Sequence, residues 1–294
     1  MDRSQRCRGT FSIVAYDPQA EEWGIAVQSK FLAVGSAVPW ASAGVGAVAT
    51  QSWANTSYGP RGLAMMEQGM SAQEVVTQLT EEDKDRALRQ VGVVDAQGHA
   101  AAFTGEDCLD WAGHIVGQHY TCQGNILVSG DTVQAMAQTF EASAGSLVDR
   151  LIEALRAGQD AGGDRRGQQS AALLVVREKG GYGGFNDRYV DLRVDDHPAP
   201  IAELARLLKL HQLYFGEPDE DNLIPIRGDV LTEIQHILRR TGYYDGPATT
   251  TCDEQTKKAL QNLISIENLE ERWRDDDLLD AVILDFLRNR FGRE

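Results

Sequence analysis

Gly9-Thr10-Phe11-Ser12-Ile13-Val14-Ala15 puts a glycine and a threonine at the mouth of a short apolar strand. A cut between Gly9 and Thr10 would leave the threonine with a free α-amine beside its own hydroxyl. Such an amine has an ordinary pKa of about 7.7–8.0, so a good fraction is neutral near pH 7 and able to take the hydroxyl proton. Threonine with its own terminal amine is a known activated-nucleophile pair. Read locally, Thr10 is equally a β-branched residue that starts a strand. The remainder of the chain has to decide between the two.

Residues 11–16 read as a strand, 17–22 as a turn and 23–29 as the return strand of a hairpin. Residues 44–51 form a strand of small side chains, suited to close packing or to the approach of a backbone to a ligand. Helices follow at 59–68 and 72–79, the second opened by a Ser71–Glu74 capping box. A second hairpin joins 88–95 to 99–104, residues 111–114 read as a loop, and 120–128 as a strand. Two more helices cover 132–143, capped by Asp131, and 146–157. Residues 170–176 and 189–194 pair as strands, and a helix runs from 198 to 215. Strands thus alternate with pairs of helices. That order suits two stacked antiparallel sheets with helices on the outer faces, and does not suit a parallel doubly wound sheet. After a boundary near 216–225, residues 220–294 read as helical and acidic.

With 294 residues, 42% hydrophobic and 24% charged, the composition is that of an ordinary globular protein. The net charge of −16 and pI near 4.8 argue against nucleic acid or an anionic membrane surface as the main partner. Cys7, Cys108, Cys122 and Cys252 are scattered, which fits reduced thiols of a cytoplasmic protein better than zinc or a disulfide framework. The six histidines show no ligand spacing. Residues 1–9 lack the apolar run of a secretory signal, and no apolar run reaches the roughly 18 residues of a membrane span.

Residues 164–169 lead into the strand at 170–176. Asp164, Arg165, Arg166 and Gln169 there could hold an anionic or amide substrate, because arginine grips carboxylates with two parallel bonds; a solvated loop shaped by Asp–Arg pairs is the alternative. Gln51, Ser52, Trp53 and Asn55 follow the small-residue strand and either supply oxyanion donors or, through Asn55 or Ser57, cap the next helix. Arg61 faces the same pocket or pairs with an acid.

Four blocks in order resemble the bacterial family called Domain of Unknown Function 1028: residues 10–15, Phe31-Leu32-Ala33-Val34-Gly35, residues 44–51, and residues 162–172. The resemblance spans about 10–215. It implies an α+β fold, a four-layer αββα sandwich of the N-terminal-nucleophile hydrolase type, followed here by a small all-α domain. Carried over from a proteasome-like site, it makes Thr10 the nucleophile, with Asn125 at the place of a residue that contacts the terminal amine and Asp164 at that of the supporting acid. Gln28 stands where the site acid of the second strand would be, and Lys30 matches an arginine. No residue is assigned to the catalytic lysine, Lys30 being the nearest. Residues 230–263 look like a peptidoglycan-binding module, on Ile234-Gln235-His236-Ile237-Leu238, Gly242-Tyr243-Tyr244-Asp245-Gly246 and Thr256-Lys257-Lys258-Ala259-Leu260.

The expectation is therefore an N-terminal extension or propeptide over 1–9, a hydrolase-like domain over 10–216 and a helical peptidoglycan-binding-like domain over 220–294. The expected function is an amidohydrolase that cleaves a small amide or peptide-like bond. Thr10, Asn125 and Asp164 are its catalytic residues, and Gln28, Lys30, Gln51, Asn55, Arg165 and Gln169 touch substrate. The alternative is a non-catalytic scaffold that binds a glycan or dimerises. Expected partners are a small-molecule or peptide-like substrate, with a glycan on the C-terminal domain and a second copy of the chain as further candidates. No cofactor, metal, nucleic acid or membrane is expected.

Overall fold

Strand β1 (Thr10–Asp17) lies inside a sheet, with β2 (Glu22–Ser29) on one side and β8 (Tyr120–Asn125) on the other. The β1–β2 turn is held by Asp17, whose Oδ1 accepts from the backbone N–H of Gln19 and Ala20 at 2.9 and 3.2 Å. In this computed structural model residues 9–292 are described. Cys7 and the first eight residues of the expected extension lie outside the described residues. The chain folds as two units, with the division between Leu207 and Leu208.

In the first unit, β7 (Gly113–Gly117), β9 (Ser170–Val176) and β10 (Arg188–Val194) complete a six-stranded sheet of order β10-β9-β2-β1-β8-β7. A four-stranded sheet of order β3-β4-β5-β6 comprises β3 (Pro39–Ser42), β4 (Gly46–Ser52), β5 (Arg89–Asp95) and β6 (Ala100–Thr104). Every pairing in both sheets is antiparallel.

Side chains alternate across a strand, so each strand serves two layers. Val14, Trp23, Ile25 and Val27 of the large sheet cluster with Ala47, Ala49 and Val94 of the small one, which fixes the faces that meet. The opposite face of the small sheet presents Val48, Val91 and Val93 to α1 (Tyr58–Glu67) and α2 (Ala72–Glu81). On the other face of the large sheet lie α3 (Asp131–Ala142) and α4 (Leu147–Asp160). There Gly24 lets α4 pack close, since a Cβ would fall 2.6 Å from Leu151 Cδ1 and that side chain would have to shift.

Two local features differ from the sequence expectation. Residues 113–117, of which 113 and 114 read as loop, form the edge strand β7, a His-Ile-Val core bounded by Gly113 and Gly117. The N-cap of α3 is Gly130 and not Asp131, and Asp131 instead occupies the first turn, where its charge complements the helix dipole.

Helix α5 (Pro200–Phe215) carries the chain across the division. The second unit contains α6 (Gly228–Thr241), α7 (Glu254–Ile266) and α8 (Ala281–Phe291) around Leu231, Ile234, Leu238, Leu260, Leu263, Ile283 and Leu287. The all-α expectation needs correction, since β11 (Leu223–Pro225) pairs antiparallel with β12 (Leu278–Asp280). Three-residue strands are too short to show a period of two. Buried Arg272 ties this unit together, donating to the carbonyls of Gln212, Leu213 and Glu217 and to the Asp280 carboxylate. No described helix is long and apolar enough to cross a membrane.

Candidate active site

Register brings the site together. Thr10 is opposite Ser29 on β2 and opposite Asn125 on β8, so the three side chains share the face that looks at the small sheet. Thr10 is buried, 4% exposed. Its Oγ1 donates to Ser29 Oγ at 3.0 Å, and Ser29 Oγ donates to the carbonyl oxygen of Gly9. The same carbonyl accepts from Arg166 Nη2 at 2.8 Å. The Gly9–Thr10 bond thus has a hydroxyl nucleophile candidate on one side and two donors, one of them cationic, on its carbonyl.

Asp164 builds the wall behind that bond. Its side chain is fully buried, and its Oδ1 accepts from Arg166 N and Nε at 2.9 and 3.0 Å. Oδ2 accepts from Arg166 Nη2 at 2.8 Å and from the backbone N–H of Lys30 at 3.0 Å. Carboxylate and guanidinium therefore fix each other as a fork before either touches anything else. The backbone of Gly9 runs against this fork: a Cβ there would lie 2.8 Å from Cγ and both oxygens of Asp164. Three loop segments hold Asp164 in place. Leu127 and Trp111 exchange backbone bonds, Val128 N–H donates to Gly163, and Arg165 N–H donates to Ile126. Ile126 adopts φ +52°, a strained conformation for a β-branched residue, directly after Asn125.

Next to Thr10, the space between the sheets is polar. Ser12 Oγ donates to Gln51 Oε1 at 2.6 Å, and Gln123 Nε2 donates to Ser12 Oγ at 2.6 Å. Gln90 Oε1 accepts from both Gln51 Nε2 and Asn125 Nδ2 at 2.8 Å. Gln90 Nε2 closes the network on Thr104 Oγ1 and on the carbonyls of Gly113 and Gly124. A buried amide network that is satisfied in this way is rigid, because in a low dielectric each lost bond is costly. One acceptor in it is left over: Asn125 Oδ1 is buried and has no hydrogen-bond partner among the described residues.

Among the expected site residues, Thr10, Asn125 and Asp164 come together. Gln51 reaches them only through the amide network. Lys30 contributes its backbone N–H to Asp164, while its Nζ points to the Gln168 carbonyl at the surface. Arg165 donates to the Asp110 carbonyl at 2.6 Å, and it is the neighbouring Arg166 that meets Gly9. Gln169 bonds Asp196 at an exposed position. Gln28 pairs with Phe11, so its side chain lies on the helix-covered face, opposite to Thr10, where both of its amide atoms are buried without partners among the described residues. Asn55 is engaged elsewhere: its Oδ1 accepts from Ser57 and its Nδ2 donates to Asp83. Trp53 N–H, expected as an oxyanion donor, is given to Leu88. Arg61 pairs with Glu82.

Asp83 explains why the 52–57 loop is so fixed. Its carboxylate accepts from Arg89, Asn55, Tyr58 Oη and Asp85 N–H. The Arg89 bonds, helped by those of Asn55, Asp85 and Tyr58, hold its pKa well below the usual carboxylate range, while burial and the Asp83 contact push the Tyr58 phenol up. This cluster joins the start of α1 to the end of α2 and serves the fold.

Ser29, Gln90 and Gln123 are the residues that sequence reading left out of the site, and Arg166, one of the residues expected to hold substrate, meets the Gly9 carbonyl. Each polar strand residue among them lies at a position where the strand's alternation predicts an inward side chain, which was the available signal. No group of three or more His, Cys, Asp or Glu side chains suited to a metal occurs among the described residues.

Residues 10–204 match the family described as "Family of unknown function (DUF1028)", and the chain belongs to it. Residues 214–287 match the family described as "Putative peptidoglycan binding domain". Among solved structures, the chain is similar to the crystal structure of protein SPO2555 from Silicibacter pomeroyi, a DUF1028 protein. The two are 33% identical with a TM-score of 0.64, over 69% of this chain and 86% of that one. No curated protein matches.

Proposed function

We propose that the first unit is an N-terminal-nucleophile amidohydrolase. In this reading Thr10, freed by a cut after Gly9, attacks the carbonyl of a small amide or peptide-like substrate. The observation that carries the reading is the set of contacts at Gly9–Thr10, with the Thr10 hydroxyl bonded to Ser29 and the adjoining carbonyl held by Ser29 and Arg166. The layering α1–α2, small sheet, large sheet, α3–α4 is consistent with the sandwich on which such enzymes are built. The freed α-amine would be the general base. Asn125 Oδ1, which has no partner among the described residues and lies on the residue paired with Thr10, is suited to accept one of its protons. Arg166, clamped by Asp164, would stabilise the oxyanion, and a single such donor contributes about 2.7–4 kcal/mol to the transition state.

The test is activity against a panel of amides, with the Thr10→Ala chain as control. Turnover by the protein that begins at Thr10 and its loss in Thr10→Ala are expected. Equal turnover by both would remove Thr10 from the mechanism. The second unit, by its family match, is proposed to bind a peptidoglycan-type glycan. Co-sedimentation of the full chain with insoluble peptidoglycan checks this, and a protein that stays in the supernatant refutes it.

A further inference from the structure

We infer that Ser29 is a catalytic residue of self-cleavage at Gly9–Thr10, passing the proton of the Thr10 hydroxyl to the Gly9 carbonyl oxygen. The inference rests on the reading of Thr10 as a nucleophile and addresses a difficulty within it. The α-amine that would serve the mature enzyme as base is still part of an amide while Gly9 is attached. The lone pair of an amide nitrogen is delocalised into its carbonyl and leaves it a very weak base, so the first cut needs a different path for the proton.

The structure supplies one. Thr10 Oγ1 donates to Ser29 Oγ at 3.0 Å, and Ser29 Oγ donates onward to the oxygen of the carbonyl that Thr10 would attack. The start of this two-hydroxyl chain is the nucleophile and its end is the electrophile of the same step. Among the described residues neither hydroxyl bonds a carboxylate, an imidazole or an amine. The relay therefore runs between neutral groups, and this agrees with the position of Gln28, whose side chain is on the other face of the sheet. Arg166 Nη2, at 2.8 Å from the same oxygen, meets the charge that builds up there.

Thr10 Oγ1 forms a bond to the Gly9 carbonyl carbon. Its proton moves to Ser29 Oγ as the Ser29 proton moves to the Gly9 oxygen, giving a neutral tetrahedral adduct. When the adduct collapses, the C–N bond breaks and the hydroxyl proton goes to the departing Thr10 nitrogen. The products are an ester between Gly9 and Thr10 Oγ1 and a free α-amine. Water then hydrolyses the ester, which leaves a Gly9 carboxylate and restores the Thr10 hydroxyl.

The experiment is intact-mass spectrometry of the freshly made full chain over time, with thermal melting to show that each variant is folded. The wild type is expected to convert to a chain that begins at Thr10. Ser29→Ala is expected to slow the conversion about 100-fold or more, the range for loss of a proton-transfer group, and Ser29→Thr, which keeps a hydroxyl, to retain most of the rate. A wild-type chain that stays intact, Ser29→Ala cleaving at the wild-type rate, or a folded Ser29→Thr that stays uncut would each overturn the relay. A chain produced to start directly at Thr10 separates the two readings. Its amide turnover tests the hydrolase alone, whatever the full chain does, and its inactivity would leave the self-cleavage result standing.

Discussion

Gly92→Ala tests the rigidity of the amide network beside Thr10. An added Cβ would lie 2.3 Å from Gln123 Oε1, 2.7 Å from Cδ and 2.9 Å from Nε2, all closer than such contacts allow. The Gln123 side chain is not free to swing away, since it is fully buried, accepts from Thr121 Oγ1 at 2.9 Å and donates to Ser12 Oγ at 2.6 Å. Overpacking of this kind costs about 1–3 kcal/mol. Breaking the two side-chain bonds adds about 1 kcal/mol each, for a total near 3–5 kcal/mol. Urea unfolding of the full chain measures this as a lower midpoint with the slope unchanged. The Gln123→Ala background provides the control. With the glutamine gone the alanine has room, and Gly92→Ala should then cost under about 1 kcal/mol, a strong non-additivity between touching residues. A loss below about 1 kcal/mol in the wild type, or the same loss in both backgrounds, would show that Gln123 yields and that the network is not a rigid support.

Two further outcomes follow from the contacts. Gly9→Ala forces a methyl into the Asp164–Arg166 fork and so pulls Arg166 from the Gly9 carbonyl. Self-cleavage should slow by about 100-fold, as for loss of one oxyanion donor, and unchanged kinetics by intact mass would refute the role of the fork. Asp83 has a folded-state pKa below its ordinary value of 3.8, so its stabilising effect is complete above that value and is lost as the pH falls from there through the lowered one. Melting temperatures between pH 7 and pH 2 should drop less steeply at the acid end for Asp83→Asn than for the wild type, and parallel curves would count against the assignment.

Much of the fold could be read from the order of elements, because alternating apolar strands and capped helices are local patterns. The hairpin turn at 17–22 even contained the pairing of Thr10 with Ser29, since a turn fixes register for the whole strand. What stayed hidden was which face of each strand looked into the site. Gln28 and Ser29 are neighbours in sequence and point to opposite sides of the sheet. A proteasome-like site would use Gln28, whereas the pleat puts Ser29 beside Thr10. Arg165 and Arg166 pose the same problem in a loop, where no period exists. Arg165 is turned away by its backbone bond to Ile126 and its guanidinium bond to the Asp110 carbonyl, both on distant segments, while Arg166 meets Asp164 and Gly9. Gln90 and Gln123 are not legible as site residues, because a polar residue in an apolar strand gains meaning only when its partner on the facing sheet is known.

Thr10 is the first residue of β1, and both of that strand's neighbours reach its end, with Ser29 on one side and Asn125 on the other. Chain termini usually fray, since the last residues have few partners. A terminus created at Thr10 would be an exception. The new end group would inherit the order of a central strand, and its amine would lose little orientational entropy when a ligand arrives. Such a terminus behaves less like a loose chain end than like a fixed side chain, with a donor geometry set by a β-ladder on either side.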